Sequence, residues 1–165
     1  MTFASLARHE QYRDVKISPD GAYLAATAVV RGHDVLALIH LADNKVLLVS
    51  PRDEDAVTEF WWASATRLVY AVGTRVGGYD APLPTGELYG VNADGSDSTM
   101  LYGIRKGGQT IDSRIPTVVS TRGTAEFIAS IPDDPEHILV STRLWDAGGK
   151  KGIVATAYRM DVRTG

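Results

Sequence analysis

The chain has 165 residues, 44 % of them apolar, no cysteine, and a net charge of −3 from 17 basic and 20 acidic side chains. That composition allows one sizeable core and excludes a disulfide framework, a zinc–thiolate site and a cysteine nucleophile together. No basic face or tail marks a nucleic-acid binder, no apolar run approaches the roughly 18 residues of a membrane-spanning helix, and Met1 to Tyr12 lacks the pattern of a signal peptide. The expectation is a soluble chain, cytoplasmic or periplasmic, with the compartment left open.

Residues 1–14 read as a strap, with a short helical turn conceivable over Phe3 to His9. From Val15 the pattern becomes one of short strands and turns. Val15 to Ser18 alternates apolar and polar side chains, as a half-buried strand does. Pro19-Asp20-Gly21 is turn chemistry, because proline presets φ and Gly21 tolerates positive φ. Ala22 to Val30, Val35 to Leu41 and Lys45 to Val49 follow as strands, separated by turns at Arg31 to Asp34 and Ala42 to Asn44. Loops this short force neighbouring strands to pair antiparallel, so residues 15–51 form a four-stranded meander.

The pattern repeats over residues 57–103. Its strands are Val57 to Ala63, Arg67 to Val72, Glu87 to Asn92 and Ser98 to Tyr102, with a long Gly- and Pro-rich insertion from Gly73 to Gly86. Residues 104–165 supply a polar connection, with one short strand around Thr117 to Ser120, and then a third unit. Its strands are Glu126 to Ser130, His137 to Leu144 and Gly152 to Met160, and its fourth strand is missing. Repeats of roughly 40 to 50 residues made of such meanders are the sequence form of propeller blades. The expected fold is all-β: a partial β-propeller of about three four-stranded antiparallel blades, the last incomplete.

Ile17-Ser18-Pro19-Asp20-Gly21-Ala22-Tyr23-Leu24-Ala25 resembles a blade motif of TolB-like propellers and of the propeller in prolyl oligopeptidase-family serine peptidases. Leu88 to Ser96 resembles the next outward strand and turn of that repeat. Ile131 to Val140, with Tyr158 to Gly165, is similar to a stretch of dipeptidyl- and acylaminoacyl-peptidase-like members. The resemblance implies a non-catalytic propeller piece. It would gate substrate access to a C-terminal α/β-hydrolase domain that lies outside this chain, and dock against it. Its further partners would be the peptide substrates of that domain. The Gly-x-Ser-x-Gly elbow of such hydrolases does not occur here, so the resemblance carries no catalytic residue onto this sequence.

Other constellations were weighed for chemistry of their own. Asn92 to Asp97 faintly resembles the start of a calcium loop but lacks the closing carboxylate, and Asp94-Gly95 is a strong hairpin signal. His9, His33, His40 and His137 have no metal-ligand spacing and read as solvated or edge residues. Asp53-Glu54-Asp55 and Asp133-Asp134 read as solvated loops. Phe60-Trp61-Trp62 is the densest aromatic cluster; on a strand Phe60 and Trp62 point one way and Trp61 the other. Core packing accounts for all three, with ligand stacking by one of them as the alternative. The loop Gly77 to Pro82 is the candidate for partner contact. Catalytic, cofactor and metal residues are therefore none. Two further readings stay open beside the peptidase-linked one. One is a TolB-like or sugar- or protein-binding propeller module, and the other a self-contained β-sandwich. An incomplete last unit would also leave open strand edges, from which self-association is expected.

Overall fold

The computed structural model describes residues 12–52, 54–79, 81–107, 123–145 and 155–165. The conceivable helical turn at Phe3 to His9, the strand expected near Thr117 to Ser120, His9 and Asp53 lie outside these residues. The described residues form β1 (Tyr12–Ile17), β2 (Tyr23–Val30), β3 (His33–His40), β4 (Lys45–Val49), β5 (Asp55–Trp62), β6 (Arg67–Thr74), β7 (Leu83–Asn92) and β8 (Thr99–Tyr102). A single 3₁₀ turn follows at Ile104–Gly107, then β9 (Gly123–Ile131), β10 (Asp134–Leu144) and β11 (Ala155–Asp161). The strands make three separate antiparallel sheets, ordered β1-β2-β3-β4, β5-β6-β7-β8 and β11-β10-β9. No sheet closes on itself, and the all-β expectation stands in the form of two four-stranded sheets and one of three strands.

The turn at Ser18 to Gly21 shows how local chemistry sets the first hairpin. The Gly21 N–H donates to the Ser18 carbonyl at 2.9 Å. The Ser18 hydroxyl donates to the Asp20 carboxylate at 2.6 Å, and the same carboxylate oxygen accepts the Ala22 N–H at 3.1 Å. Ser18 Oγ in turn accepts the Tyr23 N–H at 2.9 Å. The Ser18 hydrogen bond, then that of Ala22, holds the Asp20 carboxyl below its usual range. Gly21 sits at φ +74°, and a Cβ built there would meet only Ile17 Cδ1 at 4.0 Å. The cost of a side chain is therefore backbone strain alone. Gly21→Ala should lower stability by about 1 kcal/mol, read as a shift of the denaturation midpoint at unchanged slope.

The sheets pack through two cores. Leu36 and Leu38 of β3 meet Val57 and Phe60 of β5, with Leu68, Tyr70 and Val72 of β6 and Val91 of β7 behind them. The opposite face of the second sheet, through Val69, Leu88 and Leu101, meets Ile138, Val140, Met160 and Val162 of the third sheet and its closing turn. The second sheet is thus covered on both faces, which is why β6 reads as the nearly continuous apolar run Leu68-Val69-Tyr70-Ala71-Val72 instead of alternating.

Several boundaries differ from the sequence reading: β1 begins at Tyr12, inside the expected strap, β9 at Gly123 and β10 at Asp134. The segment Gly73 to Gly86 is not an insertion outside the sheet, because β6 runs on to Thr74 and β7 begins at Leu83. The register pairs Gly73 with Pro84 across an irregularity, and Thr85 Oγ1 donates to the Val72 carbonyl at 3.0 Å. Glycine and proline mark an irregular strand here, not its absence.

Candidate functional site

Four charged or polar side chains converge at one end of the second sheet. Asp55 opens β5 opposite Thr74, the last residue of β6. Glu87 lies on β7, and Arg105 comes from the 3₁₀ turn after β8. Asp55 and Glu87 are buried, at 4 % and 2 % exposure. Arg105 donates to both oxygens of Glu87, from Nε at 2.7 and 2.9 Å, and from Nη1 to Asp55 at 2.7 Å. The other Asp55 oxygen accepts the Thr74 hydroxyl at 2.8 Å. The Glu87 hydrogen bonds, with that of Asp55, hold the Arg105 guanidinium above its usual range. Each oxygen of both carboxylates accepts a hydrogen bond from Arg105 or Thr74, the arrangement of a structural clamp. Burial, reinforced by Glu87, pushes the nearby Tyr89 phenol up to about 12. Beside the clamp, Arg75 and Arg13 both pair with Asp34 at the start of β3.

A fully buried cation joins sheets two and three. Arg67, at the start of β6, is 1 % exposed. Its Nε and Nη2 donate to the Val162 carbonyl at 3.0 and 2.8 Å. Its Nη1 donates to Asn92 Oδ1 at 3.0 Å and to the Asp97 carbonyl at 2.8 Å. Burial, the leading cause, pulls this guanidinium below its usual range. Gly90 makes the approach possible, since a Cβ there would stand 2.6 Å from the Val162 oxygen and 2.7 Å from Arg67 Nη2.

One feature able to accept a ligand is a cleft of about 560 Å³ between the second and third sheets. Its apolar wall is Trp61 of β5 stacked on Phe127 of β9, with ring centroids 4.5 Å apart and planes 11° from parallel. Glu59, Glu126 and Arg143 stand around it with Thr58 and Thr124. Arg143 pairs with Glu126 at 3.3 Å, leaving Glu59, exposed on β5, as a further carboxylate at the cleft.

The residues singled out in the sequence fall as follows. Phe60 is fully buried between the first two sheets with Trp62 packed on that core, and Trp61 faces the other way, as strand geometry requires. Asn92 to Asp97 is a hairpin turn. Asp94 accepts the Ser96 N–H at 2.9 Å with Gly95 at φ +79°, and Asp97 serves Arg67 and Arg163. His33 opens β3 in an exposed position. His40 pairs with Asp43 at 2.9 Å, and its ring lies against Tyr23. His137 pairs with Asp134, which also holds Arg159. Asp134 therefore opens β10 instead of lying in a solvated loop. Asp55 corrects the sequence reading most sharply. It is buried, and its charge is met by an arginine fifty residues away. Gly77 to Tyr79 forms an exposed turn between β6 and β7. Among the described residues no group of three or more His, Asp or Glu side chains is arranged to hold a metal ion, and no helix is long and apolar enough to cross a membrane.

No family model and no curated protein matches the chain. Among solved structures it is similar to a putative conserved lipoprotein from Clostridium novyi NT. The two share 13 % identity with a TM-score of 0.59, over 94 % of this chain and 90 % of that one. At that identity the likeness concerns the fold. It overturns the resemblance to prolyl oligopeptidase-family peptidases. The matching structure is an all-β protein of another description, no sheet closes, and nothing found points to a peptidase. The physical reason is visible in the Ser18 to Gly21 turn. Ser18, Asp20, Gly21, Ala22 and Tyr23 of that motif are engaged by the hairpin itself, so it reports turn chemistry and not descent.

Proposed function

We propose that this chain is a non-catalytic recognition module. Its three sheets stand as blade-like units of a propeller-type stack, and it binds an extended peptide bearing a basic side chain in the cleft between the second and third sheets. The observation that carries the reading is the Trp61–Phe127 stack with Glu59 and Glu126 around the same cleft. An aromatic wall beside carboxylates suits a lysine or arginine, by cation–π attraction and by charge. The chain already uses this chemistry internally, with Lys16 Nζ 4.5 Å from the Phe60 ring centroid.

The blade-like reading is supported by the contacts between the first strands of successive sheets. Lys16 of β1 donates to the Phe60 carbonyl of β5 at 2.6 Å, and the Trp62 indole returns a bond to the Lys16 carbonyl at 3.3 Å. Ser130 of β9 donates to the Trp62 carbonyl at 2.6 Å. Across the sheets, β5 packs on β3 and β9 on β7.

Titration with arginine- and lysine-containing peptides, read by tryptophan fluorescence and calorimetry, tests the proposal. Trp61→Ala should weaken binding roughly two- to thirty-fold, the range a cation–π contact spans. Glu59→Gln should weaken it and reduce its salt dependence. Binding of neutral oligosaccharides in place of basic peptides, or binding indifferent to both substitutions, would reject this ligand class.

A further inference from the structure

Among the described residues, the titratable side chains that line the cleft between the second and third sheets are Glu59 of β5, Glu126 of β9 and Arg143 of β10. Their charges are not equally available to a ligand. Arg143 and Glu126 stand diagonally across the β9–β10 ladder, where Thr124 is opposite Arg143 and Glu126 is opposite Ser141. Arg143 Nη1 donates to Glu126 Oε1 at 3.3 Å. Glu59 is exposed and has no ion-pair partner among the described residues.

One more cation lies near the aromatic wall. Lys16 Nζ is 5.8 Å from the Trp61 ring centroid. It is already engaged, because it donates to the Phe60 carbonyl at 2.6 Å and pairs with Asp14 at 3.4 Å. The cleft lining itself therefore presents two carboxylates and one guanidinium. Arg143 does for Glu126 what the basic side chain of a ligand would do.

The Arg143 and Glu126 side chains are 49 % and 60 % exposed, so water and salt weaken their bond. The guanidinium is nevertheless tethered to β10, and it stays beside the cleft whether or not that bond is made. Glu59 is open to a first basic side chain. A second one must compete for Glu126 with a cation that cannot leave, and it meets like charge at short range. Repulsion placed in this way lets a site reject close relatives of its ligand.

Resting on the basic-peptide function proposed for this cleft, we infer that Arg143 restricts it to one basic side chain. The ligand class narrows to extended peptides with a lone lysine or arginine among uncharged neighbours. Peptides with a second basic residue close by gain nothing from it. Arg143 is thus a specificity-determining residue that acts through Glu126.

Capped peptides of one length carrying one arginine, two adjacent arginines, or two arginines separated by one residue test this. They are titrated into the full chain at low salt and followed by calorimetry. The native chain should bind all of them within about twofold of one another. Arg143→Gln frees Glu126 and keeps a polar side chain. It should bind the better two-arginine peptide about three- to fivefold more tightly than the one-arginine peptide, the upper part of what an exposed ion pair contributes. Adding Glu126→Gln should abolish that gain. Arg159→Gln removes the same charge from the same sheet, at the Asp134 pair and away from the cleft lining, and should behave as the native chain does. A native chain that already prefers two arginines, or an equal gain in Arg143→Gln and Arg159→Gln, would overturn the role of Arg143. So would no gain in either. If the one-arginine peptide binds none of these chains, the basic-peptide function falls with it.

Discussion

Arg67→Met should lower the stability of the chain by about 1–3 kcal/mol, the range seen when a buried acceptor is left unsatisfied. The guanidinium donates to acceptors from two segments, namely the Val162 carbonyl in the turn after β11 and the Asn92 side chain and Asp97 carbonyl of the hairpin between β7 and β8. Methionine fills most of the volume and donates nothing, so the buried Val162 carbonyl loses both its bonds, while the half-buried Asn92 and the exposed Asp97 can turn to water. Arg67→Lys should recover less than half of the loss, because an ammonium cannot span both sides of the fork. Denaturant titration measures the loss, and hydrogen exchange locates it. Protection should fall first in β10 and β11, which Arg67 ties to the second sheet through Val162. A loss under about 1 kcal/mol would mean that the apolar core alone holds the sheets together.

Arg105→Ala should cost more, about 3–5 kcal/mol, by a different route. Here the residue removed is the partly exposed cation, and what remains are two buried carboxylates that had shared it. The diagnostic is rescue. Adding Glu87→Gln to Arg105→Ala removes one of the two uncompensated charges and should return a substantial part of the lost stability. Glu87→Gln alone, with Arg105 still in place, should destabilise. Opposite signs for one substitution in two backgrounds are what a double-mutant cycle through a shared charge predicts. Additive effects would show that the three side chains do not act as a unit.

Three strands of the first sheet were legible to within two residues, while β1 begins at Tyr12, three residues before the Val15 at which the alternation starts. The turns of that sheet are written in local chemistry, such as Pro19-Asp20-Gly21 and Asp43-Asn44, and its strands are short and apolar. Phe60, Trp61 and Trp62 were also placed on the correct faces by the two-residue period alone. The end of β6 was not legible, because Gly73 and Pro84 resemble loop residues while pairing with each other across an irregular ladder. The buried charges were hidden for a deeper reason. Nothing near Asp55 in the sequence shows that Arg105 will reach it, and Glu87 and Arg67 find their partners through the fold. The one local hint was an arginine opening the apolar strand Arg67 to Val72. The family resemblance failed for the converse reason, since a motif whose residues are mostly consumed by one turn can recur wherever that turn is needed.

The pairing of Arg67 with the Val162 carbonyl joins residues 95 positions apart, whereas every sheet is made of strands consecutive in sequence. That contrast sets an order of events. Hairpins between adjacent strands close small loops and form early, and contacts of long sequence separation wait until the chain between them is ordered. As the chain leaves the ribosome, the first sheet has all its strands before the third is made. The arginine latch can close only after Val162 has been made. An interaction made that late is absent from the rate-limiting barrier, so its loss appears in the rate of unfolding and leaves the rate of folding nearly untouched. Arg67 is then less a builder of the protein than the residue that sets how long it stays built.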